Sequence, residues 1–194
     1  ATPRLTPVDQ LFAVSGSCAP TTAAQIDFAQ AKGFEILDFD AAQAVDPNAL
    51  QAETDRVRQT SLQLLSEGRD VLVTSARGPN DPSLARMSEA INRAGTSNAE
   101  ANEGLGRALG NLVAEVRLET GLPRAAIGGG DTSGHALTAL QAEALSAVAP
   151  LAPGAPLCRI HSACAPKIDG LEVTLKGGQM GAPDFFIHAK SGDA

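Results

Sequence analysis

A chain of 194 residues suffices for one domain with a real core, since a domain of roughly 150 residues already hides about two-thirds of its unfolded surface. A net charge of −7 excludes unaided binding to a nucleic-acid backbone, and 3% aromatics, without Trp or Tyr, exclude base- or sugar-stacking platforms. No apolar run approaches the roughly 20 residues of a membrane span, so no membrane partner is expected.

The apolar stretch Leu11–Val14 reads as a buried strand, too short for a signal-peptide core. Pro20 to Lys32 reads as a helix, with Pro early and Gly33 just past its end. Glu35–Asp38 is a second strand. Asp46-Pro47 opens a helix with Leu50, Thr54, Val57, Ser61, Leu64 and Leu65 on its core face, and Gly68 stops it. Asp70–Thr74, short, apolar and β-branched, is the clearest strand. The punctuation of Gly78-Pro79-Asn80-Asp81-Pro82 marks a loop. Ser97-Asn98-Ala99-Glu100 is a capping box, and Leu105, Leu109, Leu112, Val113 and Val116 follow at helical spacing until Gly121. Arg124–Ile127 is a fourth strand. A helix is then expected from about Thr132 to Val148, with Leu137, Leu140, Ala144 and Val148 on one face. Leu157–Ser162 and Leu171–Leu175 read as late strands that form an antiparallel hairpin.

This alternation predicts an α/β fold in three layers: a mostly parallel sheet with helices on both faces and a late antiparallel hairpin. Ligands of such sheets sit at the carboxyl ends of the strands. Four loops are expected there.

Ser15-Gly16-Ser17-Cys18-Ala19-Pro20-Thr21-Thr22 exposes backbone N–H groups at a positive helix end, which suits an anion or an ordinary cap and turn. Gly128-Gly129-Gly130-Asp131-Thr132-Ser133-Gly134 combines close backbone approach with a carboxylate and hydroxyls, a set for phosphate oxygens and Mg2+. Its bland alternative is a glycine-rich loop with a helix cap. Lys176-Gly177-Gly178-Gln179-Met180-Gly181 offers a phosphate partner and a backbone nest, or a tight turn with a solvated lysine. Arg77 suits a phosphate or carboxylate clamp, or a surface pair with Asp81.

Other signals lead nowhere. Gly104-Leu105-Gly106-Arg107-Ala108-Leu109-Gly110 imitates a dinucleotide fingerprint, but inside a helical pattern and after no strand. Asp131, Ser133 and His135 imitate a hydrolase triad, whose members meet through the fold rather than by adjacency. Cys18, Cys158 and Cys164 are odd in number and lack CxxC spacing, so free thiols in a reducing, cytoplasmic setting are expected.

In order and spacing, Val14-Ser15-Gly16-Ser17-Cys18-Ala19-Pro20-Thr21, Ala76-Arg77-Gly78-Pro79-Asn80-Asp81-Pro82, Gly129-Gly130-Asp131-Thr132-Ser133-Gly134 and Leu175-Lys176-Gly177-Gly178-Gln179-Met180-Gly181, with Asp184-Phe185-Phe186, resemble the nucleotide-binding C-terminal domain of the four-carbon acid sugar kinase family. The resemblance runs from about Leu11 to Phe186. It implies that residues 1–194 are the ATP-binding half of a two-domain kinase whose acid-sugar-binding N-terminal domain is absent from this chain. The start at Ala1 rather than Met fits a cut-out domain. The reaction implied is transfer of the γ-phosphate to a hydroxyl of a tetronate or a 3-oxo-tetronate or isoapionate-like acid. The fragment alone is expected to be inactive. ATP contacts would fall on Ser15, Gly129, Gly130, Asp131, Thr132, Gly177 and Gly178, with Asp131 orienting Mg2+ and Lys176 or Arg77 balancing charge. A homo-oligomer is a further expectation. The alternative reading is a non-catalytic nucleotide-binding or regulatory module.

Overall fold

The computed structural model describes residues 5–192. Its elements, in chain order, are β1 (Phe12–Ser15), α1 (Pro20–Ala31), β2 (Glu35–Asp38), a 3-10 turn (Ala41–Val45), α2 (Pro47–Ser66), β3 (Val71–Thr74), α3 (Pro82–Ala94), α4 (Asn98–Thr120), β4 (Arg124–Gly128), α5 (Gly130–Ala139), β5 (Ala144–Ala152), β6 (Ala155–His161), β7 (Glu172–Lys176) and α6 (Phe185–Ser191). Among the described residues the strands form one seven-stranded sheet, ordered β2-β3-β1-β4-β7-β6-β5. The first five in that order run parallel, and β7-β6-β5 pair antiparallel. The α/β, mostly parallel reading and the antiparallel late strands therefore hold.

Alternation along the central strands sorts the core. Phe12, Val14, Val71, Val73, Ala125 and Ile127 face the layer built by α2, α4 and α5. Leu11, Ala13, Leu72 and Ala126 face the opposite layer of α1 and α6. Near-continuous apolar runs are what strands covered on both faces require. The caps act as the sequence indicates. Ser97 Oγ accepts from Glu100 N–H at 3.2 Å while Glu100 accepts from Ser97 N–H at 2.9 Å. That bond, with those from the Ser97 and Thr96 hydroxyls, holds the Glu100 carboxyl below its usual range. The imitation fingerprint lies inside α4 and serves packing: a Cβ on Gly110 would stand 2.6 Å from Ala136 Cα, so this glycine lets α4 and α5 touch by their backbones.

The expected helix from Thr132 to Val148 is overturned. It starts earlier, at Gly130, and ends at Ala139; Gln141 turns the chain at φ 52°, and β5 follows. Alanine-rich β5 is exposed over Ala144–Ala147 and alternates in burial only from Val148 on, and its near-uniformly apolar sequence imitated a helix. What decides is pairing: Ala144 lies opposite His161 and Ala152 opposite Ala155. Two further helices, α3 of 13 residues and α6 of seven, join those read from the sequence. Asp81 caps α3 by accepting from Ser83 N–H at 2.8 Å, so the loop before it is half turn, half helix start.

Candidate functional site

The sheet order creates a crevice. The loop after β1 leads into α1 on one face, and the loop after β4 leads into α5 on the other. Loops diverging from adjacent parallel strands leave a gap at the carboxyl edge, where open α/β sheets bind ligands. The gap is a cleft of about 500 Å3. Its walls come from Gly16–Pro20, from Gly129–Thr132 and from Gly178-Gln179, with Pro79 at one side.

The β4–α5 loop is built around Gly129, whose φ of 111° only glycine adopts easily. Gly129 N–H donates to Lys176 O at 2.9 Å, tying the loop to β7. No side chain caps α5, so the N–H groups of Gly130, Asp131 and Thr132 remain open at a positive helix end. Gly130 is exposed, and a Cβ there would meet nothing within 4 Å. Asp131 is exposed in the first turn of α5.

The β1–α1 loop comes very close. A Cβ on Gly16 would stand 2.2 Å from Thr132 Oγ1, so glycine is required for the two loops to meet. Ser17 is buried, and its Oγ accepts from Ala19 N–H at 3.2 Å. A Cβ on Gly178 would stand 2.5 Å from Ser17 Oγ, which draws the β7 loop against the β1 loop. Thr22 Oγ1 donates to Gly178 O at 2.9 Å, and Gln25 Nε2 donates to Met180 O and Ala182 O at 2.9 and 3.0 Å. Three segments far apart in sequence are thus fastened into one wall.

Gly129, Gly130, Asp131, Thr132 and Gly178 line the cleft. Ser15 is wholly buried beneath it, its Oγ accepting from Ser17 N–H at 3.3 Å. Gly177 lies half-buried behind the wall, its carbonyl accepting from Met180 N–H. Lys176 is 1% exposed, with Nζ donating to Thr22 Oγ1 at 3.0 Å and Gly177 O at 3.1 Å. Burial pulls its ammonium down from 10.5 to about 8. Arg77 lies elsewhere. It lines a second cleft at the ends of β2 and β3 with Asp38, Arg56 and Arg86, and its guanidinium pairs with Asp38 at 3.1 Å. Asp81 instead accepts from Arg77 N–H, at 2.6 Å. Burial raises the Asp81 carboxyl, but bonds from Ser83 and Arg77 outweigh it and hold the group below its usual range. The sequence did not single out Pro79, Gln179 or the clamp formed by Thr22 and Gln25. Only the Thr21-Thr22 pair at the helix start hinted at the last.

The three cysteines are free, Cys158 buried and Cys18 and Cys164 exposed. Burial raises the Cys158 thiol. Among the described residues no helix is long and apolar enough to cross a membrane, and no cluster of three or more His, Cys, Asp or Glu is placed to hold a metal.

An open α/β sheet with uncapped helix starts and glycine loops at its switch point defines a class, the anion-binding α/β domains. Within it, a match over residues 12–186 to the family described as "nucleotide-binding C-terminal domain" shows that the chain belongs to that domain family of the four-carbon acid sugar kinases. It is 42% identical over 190 residues to a 3-oxo-isoapionate kinase of Paraburkholderia graminis, covering 98% of this chain and 40% of that protein. It is 30% identical over 145 residues to a 3-oxo-tetronate kinase of Pseudomonas savastanoi, covering 75% of this chain and 31% of that one. The chain therefore spans well under half the length of these relatives. A Bordetella bronchiseptica protein, solved as a domain-swapped dimer with bound citrate, shares the fold at a TM-score of 0.72 and 23% identity, covering 96% of this chain and 41% of that one.

Proposed function

We propose that this domain binds ATP with Mg2+ in the cleft and forms the nucleotide half of a kinase. The acceptor is a hydroxyl of a four-carbon acid sugar, a tetronate or a 3-oxo-tetronate or isoapionate-like acid. The carrying observation is the convergence of open backbone N–H groups from α5 and the Gly178-Gln179 turn on one cleft. Phosphoryl transfer asks a protein for positioning and charge neutralisation, and such amides supply both without spending side-chain charge. The acidity of the chain is no obstacle, because local donors set the local field.

Gly130, Asp131 and Thr132 would present their N–H groups to phosphate oxygens, and Gly16, Gly129 and Gly178 would let the backbone come near. Ser15 and Gly177 would support this surface from behind. Asp131 fits Mg2+ in the manner that ion favours, one carboxylate together with substrate phosphates and water. When bound, Mg2+ would offset the negative charge of the phosphates. The acid sugar would be held mainly by a further domain N-terminal to this chain, as the family resemblance implies. We extend to the whole protein a cytoplasmic setting and a homo-oligomeric state; the Bordetella dimer is consistent with the latter.

Asp131→Asn tests the reading. Asp131 makes no side-chain cap of α5, so a purely structural role, through its charge in the first turn, would leave turnover intact. The expected result in the full two-domain enzyme is a fall in kcat with Mg·ATP of at least roughly tenfold, with the thermal midpoint nearly unchanged. Unchanged turnover with a lowered midpoint would make Asp131 a structural charge at the positive start of α5 and remove the metal role. Calorimetric titration of the isolated chain with ATP and Mg2+ tests binding itself. Binding without any turnover in the full enzyme would favour a regulatory module.

A further inference from the structure

Lys176 is buried at the carboxyl end of β7, yet no carboxylate contacts its Nζ. Two of its hydrogen bonds go to neutral oxygens, and the Phe185 ring lies 5.8 Å from Nζ. The charged groups on the elements around it are engaged elsewhere or exposed. Just before α6, Asp184 lies 3.0 Å from the His188 ring; Asp131 of α5, Asp27 of α1 and Cys18 of the β1–α1 loop are exposed. A cation with this much burial and no counter-charge is expensive unless something else supplies the charge.

Its bonds have a directional consequence. The carbonyl of Gly177 is turned inward to Nζ, and the carbonyl of Gly178 inward to Thr22 Oγ1. All peptides here are trans, so carbonyl and N–H point opposite ways. The N–H groups of Gly178 and Gln179 are thereby turned away from Lys176, and these are the two β7-loop residues that line the cleft. Neither N–H has a protein acceptor among the described residues. Successive free amides of this kind form an anion-binding nest.

We propose that Lys176 is a positioning residue of the nucleotide site: through the Gly177 carbonyl and Thr22 it aims the Gly178 and Gln179 N–H groups at the phosphates, whose negative charge is its missing counter-ion. This rests on the nucleotide reading above and adds a linkage to it. In the empty protein the buried amine sheds its proton readily, since burial alone lowers its pKa to about 8. A bound polyanion favours the ammonium, so binding at and above that pH draws a proton from solvent onto Nζ, converting –NH2 to –NH3+.

The test is calorimetry of ADP and ATP binding to the chain, from about pH 7.5 to pH 9.5, in buffers of different ionisation enthalpy. The unmodified chain should take up part of a proton per nucleotide, most strongly above pH 8, with affinity falling as pH rises. Lys176→Met should bind roughly tenfold to a hundredfold more weakly at the lower pH and take up no proton. Thr22→Val, a milder change, should weaken binding and keep the proton uptake. Uptake absent from the unmodified chain, or Lys176→Met binding as tightly as it does, would overturn the proposal. A chain that binds no nucleotide at any pH defeats the nucleotide reading instead. Inorganic triphosphate then separates the two: proton-linked triphosphate binding lost in Lys176→Met upholds the role of Lys176, and its absence ends that role as well.

Discussion

One pair of adjacent strands carries two opposite solutions to a buried cation. β4 and β7 run parallel, with Arg124 beside Glu172 at one end and Gly128 beside Lys176 at the other. At the amino edge, Arg124 is 1% exposed and fully provided for: Nε and Nη2 donate to Glu172 Oε2 at 2.9 and 2.7 Å, Nη1 donates to Ala189 O, and Nη2 also donates to Thr6 O. This edge holds the molecule together. Val8 N–H donates to Lys190 O, and Lys190 Nζ pairs with Asp70 at 2.7 Å, so the segment before β1 and the end of α6 are sewn onto the sheet. At the carboxyl edge, Lys176 is equally buried and has only neutral oxygens. Complete pairing marks the end of the sheet that stabilises, and incomplete pairing marks the end where we propose the ligand binds.

The largest expected effect breaks the satisfied end. Glu172→Gln keeps the shape and removes the charge, leaving Arg124 buried without its anion. Breaking one partner of a buried pair costs about 3 kcal/mol or more. Chemical denaturation should therefore show a loss of that order, and nucleotide affinity of the fraction that remains folded should not change. A loss confined to binding would mean that the two edges are not separate in function.

The second effect concerns the unsatisfied end, through pH. Lys176 titrates at about 8 in the fold and at 10.5 when unfolded. Between these values the unfolded chain holds more protons than the folded one, so stability from this residue rises with pH across that window. Below pH 8 the cost of the buried ammonium is fully present, and above 10.5 it is gone. The span corresponds to roughly 3 kcal/mol. Stability curves of the unmodified chain and Lys176→Met, both ligand-free, should accordingly converge or cross as pH rises through this range. Parallel curves would show that the lysine finds a counter-charge inside the fold.

The sequence announces elements better than it announces neighbours. Punctuated elements such as α4, with its Ser97–Glu100 box and its Gly121 end, are written locally and appear as expected. So do the apolar strands of the parallel half. β5 escapes because Ala, Ser and Leu suit either structure and only pairing with β6 decides. The glycine loops point to the candidate cleft, because three successive glycines have few other uses. The fate of the two cations beside it depends on sheet order. Arg77 follows β3, next to β2, and so reaches Asp38 rather than the cleft. Lys176 ends a strand flanked by β4 and β6, under α1 and α6, and so is covered. Neither fact is readable from a motif, since both are set by non-local packing.

The smallest stability effect gives the sharpest contrast between holding and binding. Gly130 is the first residue of α5, exposed, with nothing within 4 Å of a built Cβ and no positive φ. By elementary helix energetics, Gly130→Ala removes backbone freedom from the unfolded chain and inserts a better helix former. It should raise stability by up to about 0.5 kcal/mol. The same methyl would stand at the wall of the cleft, where phosphate oxygens must approach the N–H groups of the first turn. Nucleotide affinity should fall even though folding improves, whereas an amino-edge change such as Glu172→Gln lowers stability and spares affinity. Thermal melting and nucleotide titration of the two variants form a crossed pair of results. If Gly130→Ala binds nucleotide as the unmodified chain does, the ligand does not lie against the start of α5. The open amides there would then be solvated helix ends, and the anion site would have to be sought along the Gly178-Gln179 turn alone.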